Sequence, residues 1–518
     1  MKKKLLMLLP ISLLILTSCS FLDNLINPTT TGTTTVEPTT TTTKTGMTTT
    51  RTTTVAPTTT TTRVEPTTTT TTITTSTSTT QLVNVDTALY YNDLFDLNNK
   101  VELSINISNS ELKKINDDYM CNTYRMADSF KVKITYPNGD ILESEIDEVG
   151  IRMKGNTSRA SFMNGNEIAN NASYKLSFDE TFDDEEEYTA SERKVWTDSN
   201  ARKVRKDRTF FSMGGLEIKF NREGDASYSR DIYAAKVYKD NGIKAQNTTL
   251  GVVNFVNQNT SSSVDPLYKI YEPVDKYFVH RYFEGNDDGD LYKATYGKET
   301  GMPTLNHTTA NAYGVDTTIY KGDQPMSYDL KTNKKKSKHV MMKNFLEWIN
   351  SSETDLSSTL ADYMDEDYFY TFMAIQYFTG DWDNFLYDSN NYYLYFGDNG
   401  KAYFIPYDMD RCFGIQAKNN DMVNKRYNDY WNLQGDNNKS NLLKKTIFKS
   451  ESSAQMAYQN KIKAIASSVL NNNSFENNVY NIIYNNYNNI VNIDKGNAPA
   501  EYNNAPESYF RQKLALIG

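Results

Sequence analysis

Asn391-Tyr-Tyr-Leu-Tyr-Phe-Gly-Asp-Asn-Gly-Lys-Ala-Tyr-Phe-Ile-Pro-Tyr-Asp408 reads as two aromatic strands joined by a tight turn. The turn residues, Gly397-Asp-Asn-Gly400, accept the backbone angles that a two-strand reversal demands. Strands are therefore expected over 391–396 and 401–405. The open ends of a hairpin lie about 5 Å apart, so residues before the first strand and after the second must converge. Asp383 and Asn391 approach that end from one side, and Asp408 from the other. Two carboxylates and an amide oxygen suit a hard cation such as Mg²⁺ that takes its remaining ligands from phosphates. The alternative is that these acids only cap the ends of a hairpin and a helix, positions where Asp and Asn are common.

Upstream of this segment, residues 367–378 are apolar on nearly every face, which predicts a buried central helix ending at Gly380. Helical patterning also covers 340–349, 356–364 and the region from 442 onward, whereas 286–337 reads as polar loop. Before Pro273 the alternation is that of strands, at 130–136, 141–151, 173–178, 216–220, 249–257 and 267–271. One helix, 228–241, interrupts them and ends at Gly242. An acidic run at 183–187 and a basic one at 202–208 read together as a solvated insertion. The change from strand to helix at Pro273 marks the expected boundary between a strand-rich lobe, 85–273, and a helical lobe, 274–518.

The N-terminus is Met1-Lys-Lys-Lys4 followed by an apolar run over 5–16 and Leu16-Thr-Ser-Cys19. A charged start and a short apolar segment make a secretory leader. Its last four residues resemble the lipobox of bacterial lipoproteins, which implies cleavage after residue 18. Cys19 would then carry acyl chains that tether the mature protein to the outer face of the membrane. An ordinary signal peptide with a coincidental cysteine is the alternative. Residues 28–80 are almost entirely Thr with Pro and Val. Such a tract lacks the apolar surface to offset its ordering entropy, so 19–84 is expected to be an extended, disordered stalk.

A net charge of −9 over 518 residues gives no reason to expect a nucleic-acid partner. Of three cysteines, Cys121 and Cys412 are the one pairing left once Cys19 is assigned to the leader. His280, His307 and His339 are scattered, so chemistry must rest on carboxylates, amides and lysines.

Gly380-Asp-Trp-Asp-Asn384, Asn390-Asn-Tyr-Tyr-Leu-Tyr395, Phe404-Ile-Pro-Tyr-Asp-Met-Asp410 and Phe413-Gly414 together resemble the signature of the CotH kinase-like family, known from spore coats. Matching segments upstream are Gly150-Ile-Arg-Met-Lys-Gly-Asn-Thr-Ser-Arg159, Tyr174-Lys-Leu-Ser-Phe-Asp179, Asp225-Ala-Ser-Tyr-Ser-Arg230, Tyr271-Glu-Pro-Val-Asp275 and Leu291-Tyr-Lys293. The resemblance implies an α+β, atypical protein-kinase-like fold of two lobes, and Mg²⁺- or Mn²⁺-dependent phosphoryl transfer from ATP to a protein Ser/Thr hydroxyl. It implies Asp383 as the catalytic residue and Asn391, Asp408 and Asp410 as the metal-side residues. Lys175, Arg230, Glu272, Lys293 and Tyr407 would face the nucleotide, with Arg230-Asp231 standing where the family has Arg-Glu. Arg152, Lys154 and Asn156 read either as phosphate-facing residues or as strand-end and turn residues. Nucleotidyl transfer on the same fold, and a non-catalytic role in surface or coat assembly, are the alternatives.

Overall fold

The computed structural model describes residues 70–74, 81–83, 86–415, 425–427, 439–471, 476–497 and 509–517. The leader at 1–18, Cys19 and most of the Thr-rich tract lie outside them. All the described residues belong to one compact unit, 65–518. Among them no helix is long and apolar enough to cross a membrane.

Seventeen strands occur in the described residues. β1 (Thr70–Thr74) comes from the end of the Thr-rich tract and β2 (Gln81–Val83) follows it. There follow β3 (Lys100–Asn106), β4 (Arg125–Thr135), β5 (Ile141–Met153), the short β6 (Met163–Asn164) and β7 (Glu167–Ile168), and β8 (Tyr174–Ser177). Next are β9 (Gly215–Lys219), β10 (Thr248–Val256), the short β11 (Asn259–Thr260) and β12 (Leu267–Tyr271). The last five are β13 (Asp290–Ala294), β14 (Tyr313–Gly314), β15 (Tyr328–Leu330), β16 (Tyr392–Phe396) and β17 (Ala402–Pro406).

The large sheet runs β5-β4-β3-β10-β12-β9-β8, and β8 pairs back onto β5. Seven strands thus close into a barrel. Alternation fills its inside with Val101, Leu103 and Ile105 of β3, Phe130, Val132 and Ile134 of β4, Leu176 of β8 and Ile218 of β9, none more than 1 % exposed. Lys131 and Lys133, one residue out of phase, pair outside with Glu143 and Glu102. β1 lies against the first half of β5, so the end of the tract read as a stalk is paired with the sheet.

A second sheet, ordered β14-β15-β13-β16-β17, packs with the helix Glu366–Thr379, buried from Phe369 to Thr379, and with the helix Arg230–Asp240.

This architecture corrects the expected fold. The chain does not form a kinase-like pair of lobes with an open strand-rich sheet and a mainly helical partner; it forms a closed barrel and a second sheet within one unit. The physical reason lies in β5. Its 13 residues are long enough for Ile141–Glu145 to hold β1 while Gly150–Met153 reach β8, and no local alternation encodes that second partner. β13 and β15 sit inside the stretch read as loop because each is short and interrupted by charged residues, Lys293 and Asp329, which pair across the two strands. The insertion is also less solvated than expected. Arg205 is buried against Glu148, and Arg208 donates to the carbonyls of Phe178, Asp147 and Glu148. Cys121 and Cys412 are both free.

Closure makes the barrel interior continuous, so truncating one filler should loosen it. Leu176→Ala is expected to cost about 2–5 kcal/mol, read as a lower midpoint in denaturant. An unchanged midpoint would place Leu176 outside a packed core.

Candidate active site

The alternation that sends Leu176 and Ile218 inward turns Lys175, Glu217 and Lys219 onto the outer face of the barrel. Lys175 and Glu217 are direct cross-strand neighbours, and Arg152 of β5 continues the row. Glu217 is 3 % exposed and takes Lys154 at 3.3 Å and Lys175 at 3.4 Å. Burial alone would raise its carboxyl, but Lys154, Lys175 and Lys293 draw it down to about 2. Lys219 crosses to the hairpin β16–β17, where its ammonium is held by Asp408 and by Asp410 at 2.9 Å.

The open end of the hairpin is tied by the Tyr407 amide, which donates to the Asn391 carbonyl at 3.2 Å. Asn391 and Asp408 both adopt left-handed backbone, with φ of 53° and 56°. For residues other than glycine that costs on the order of 1–2 kcal/mol each, and it aims both side chains out of the strand pair. Asn391 Nδ2 donates to the Asp383 carbonyl at 2.9 Å, which leaves its side-chain oxygen as the acceptor. The Asp383 carboxylate accepts from Asn390 at 3.1 Å and pairs with Arg411 at 3.3 Å. Burial pushes it up to about 6, while Asn390 and Arg411 pull the other way. Burial would also raise Asp408, but Lys219, Lys154 and Lys293 hold it well below the ordinary range. Asp410 is raised by burial and by Asp408 beside it.

These groups line one cleft of about 660 Å³. Its lining is also basic, with Arg152, Arg159, Lys293, Lys321 and Lys331. Burial pushes Lys293 well below its ordinary value, Glu217 opposing and Lys154, Lys321 and Lys331 adding to it. Lys321 falls to about 8 through burial and the neighbouring Arg159 and Lys331.

Seven of the nine residues expected at the site meet in this cleft: Asp383, Asn391, Asp408, Asp410, Lys175, Lys293 and Tyr407. Arg230 and Glu272 do not line it. Arg230 is bound to Asp225 at 2.5 Å, and Glu272 is buried in a pair with Arg281. Asp231, beside Arg230, pairs with Lys269 at 3.0 Å rather than with Lys175. Lys293 lies 4.3 Å and Lys154 5.2 Å from the Tyr407 ring centre.

Sequence reading missed Glu217, Lys219 and Arg411. The available signal was Leu216-Glu-Ile-Lys219, a strand with both charges on one face, but the partners of those charges lie far along the chain.

Asp408, Asp410 and the Asn391 side-chain oxygen are donors of the type a magnesium ion takes. Asp408 and Asp410 already converge on one cationic centre, the Lys219 ammonium, and the Asn391 oxygen lies at the same hairpin end. Among the described residues no group of three His, Cys, Asp or Glu side chains could hold a metal by itself. A cation here would therefore draw its other oxygens from phosphate.

Removing Lys219 should leave two neighbouring carboxylates unneutralised. Lys219→Met is expected to lower stability by about 3 kcal/mol, and adding Asp410→Asn should recover part of it in a denaturant titration. A double variant no more stable than the single one would sever Lys219 from this pair.

A family model described as "CotH kinase protein" matches residues 151–510, most of the chain. Over 85 residues the chain is 32% identical to "Invasin CotH7" of Rhizopus delemar, and over the same length 32% identical to "Spore coat protein homolog 1" of that fungus. Each alignment covers 16% of this chain and 14% of the relative, so only a small part of those proteins is matched. With its signature residues gathered around one cleft and the family model spanning 151–510, this chain belongs to the CotH kinase protein family.

Proposed function

We propose that this chain transfers the terminal phosphoryl group of ATP to a hydroxyl of a protein substrate, with Mg²⁺ or Mn²⁺ as cofactor. Membership of the family suggests a kinase-type or coat-related function. One observation carries the more specific reading: a single cleft is lined by Asp383, Asn391, Asp408 and Asp410 and by Lys154, Lys175 and Lys293. The acidic pole suits a divalent ion and an acceptor hydroxyl, and the lysine pole suits a polyphosphate. Asp408, Asp410 and Asn391 would hold the cation, which neutralises charge on the phosphates. Asp383 accepts the proton of the acceptor hydroxyl as the new O–P bond forms and ADP leaves. Lys154 and Lys175, fixed by Glu217, and Lys293, fixed by Tyr407, stabilise charge on the phosphoryl oxygens without reorganising.

Mg²⁺ with ATP should raise the thermal midpoint of the protein. Label should reach an acceptor protein from γ-labelled ATP; transfer from α-labelled ATP would mean nucleotidyl transfer instead. Asp383→Asn is expected to slow transfer by about 10²–10⁴. The pH profile of kcat/KM follows from two groups. Asp383 must be ionised, and its carboxyl sits at about 6, so the rate should rise with pH through that value. Lys293 must be charged, and burial holds it well below the ordinary lysine range, so the rate should fall at a lower pH than an ordinary lysine would give. No midpoint shift with ATP, or wild-type transfer by Asp383→Asn, rules the reading out.

The leader ending at Cys19 supports display on the outer face of a bacterial membrane through a lipidated cysteine. The two relatives, named as an invasin and a spore coat protein homolog, support a surface or coat setting. Palmitate fed to expressing cells should label the wild type and not Cys19→Ser; equal labelling would dismiss the anchor.

A further inference from the structure

We propose that Arg411 is a positioning residue for the Asp383 carboxylate; this rests on reading Asp383 as the group that accepts the proton of the acceptor hydroxyl. Arg411 directly follows the two metal-side acids in Asp408-Met-Asp-Arg411. Its guanidinium forks. Nη1 donates to Asp383 Oδ2 at 3.3 Å, and Nη2 donates to Glu223 Oε1 at 3.4 Å. The face of the same group lies 4.1 Å from the centre of the Trp382 ring. Asp383, Trp382 and Arg411 line the cleft, whereas Glu223 is buried behind them and does not.

Asp383 is held through its backbone and its carboxylate by different partners. Its amide donates to Asp381 Oδ1 at 2.9 Å, and its carbonyl accepts from Asn391 Nδ2 at 2.9 Å. Of the carboxylate oxygens, Oδ1 accepts from Asn390 at 3.1 Å and Oδ2 from Arg411. Asp381, Asn390 and Asn391 all lie within eight residues of Asp383, so this segment secures its own backbone. Arg411 reaches it from beyond the hairpin and meets the carboxylate. Without Arg411 that group keeps one lateral contact and can turn about its last side-chain bond, where the torsional well is broad. A base that takes a proton at hydrogen-bond range depends on that orientation.

The guanidinium is itself fixed. Glu223 anchors one arm, and the Trp382 ring lies against its plane. A lysine could not repeat this, because a point charge on a flexible stem lacks the planar fork that meets two carboxylates at once. A bridge that only tied the segment after β17 to the loop after β9 would be complete with Glu223; the arm on Asp383 goes beyond that need. β9 and the loop after it thus act on both halves of the acidic group. Lys219, the last residue of β9, holds Asp408 and Asp410, and Glu223, four residues on, holds the arginine that orients Asp383.

Steady-state transfer from γ-labelled ATP to dephosphorylated casein, by the full-length protein in Mg²⁺, separates positioning from binding and from folding. Arg411→Ala should lower kcat by about 10–100-fold and leave KM for ATP unchanged. Millimolar guanidinium chloride, but not sodium chloride at the same strength, should restore part of the loss. Glu223→Gln keeps Arg411 and weakens its anchor; it should lower kcat by less, and combining it with Arg411→Ala should lower kcat no further than Arg411→Ala alone. A wild-type kcat in either single variant, a loss that appears in KM, or a loss in Arg411→Ala that guanidinium does not relieve overturns the positioning role and leaves the proposed function standing. Wild-type protein that labels no casein removes the proposed function and this role with it.

Discussion

The ammonium of Lys219, held between Asp408 and Asp410, is the contact on which the cleft depends. It is one of the points where the outer face of the barrel touches the open end of the hairpin. Two partly buried carboxylates on alternate residues repel each other and resist leaving water. A lysine from β9 removes both difficulties at once and fixes the separation of the two walls.

The same logic organises the rest of the cleft. Glu217 is a buried counter-charge for Lys154 and Lys175, and the Tyr407 ring supports Lys154 and Lys293. Four lysines are therefore placed by strands and rings rather than by a flexible loop. Charges fixed in this way would need no rearrangement to meet a polyanion, which is where electrostatic binding gains most. The basic lining is crowded enough that Lys293 and Lys321 are both held below their ordinary values. Arg230 and Glu272 serve different ends. They are closed into their own buried pairs with Asp225 and Arg281 and help lock the helices beside the barrel.

Much of the local structure was legible. β12 and the helix Val340–Ile349 fall where alternation and periodicity put them, and the β16–β17 hairpin starts and ends within a residue of its expected bounds. Local pattern sufficed there because each element buries one regular face. β13 and β15 were not legible, since a five-residue and a three-residue strand bearing Lys293 and Asp329 leave too little apolar alternation to stand out from loop. Asp383, Asn391, Asp408 and Asp410 could be grouped because a hairpin forces its ends together over a short stretch of chain. Lys219 could not be added to them, being almost two hundred residues away.

The sequence by itself determined the hairpin, the convergence of its flanking acids, and the membership signalled by motifs spread from Gly150 to Gly414. It could do so because turn chemistry and strand alternation act between residues close in the chain. Only the tertiary structure decided that β5 and β8 close a barrel, where a two-lobed fold was expected. It alone paired Lys175 with Glu217 and Lys219 with Asp408 and Asp410. Those outcomes depend on strand order and on contacts between distant segments. Burial and charge pairing settle them over the whole fold, and no short stretch of chain records the result.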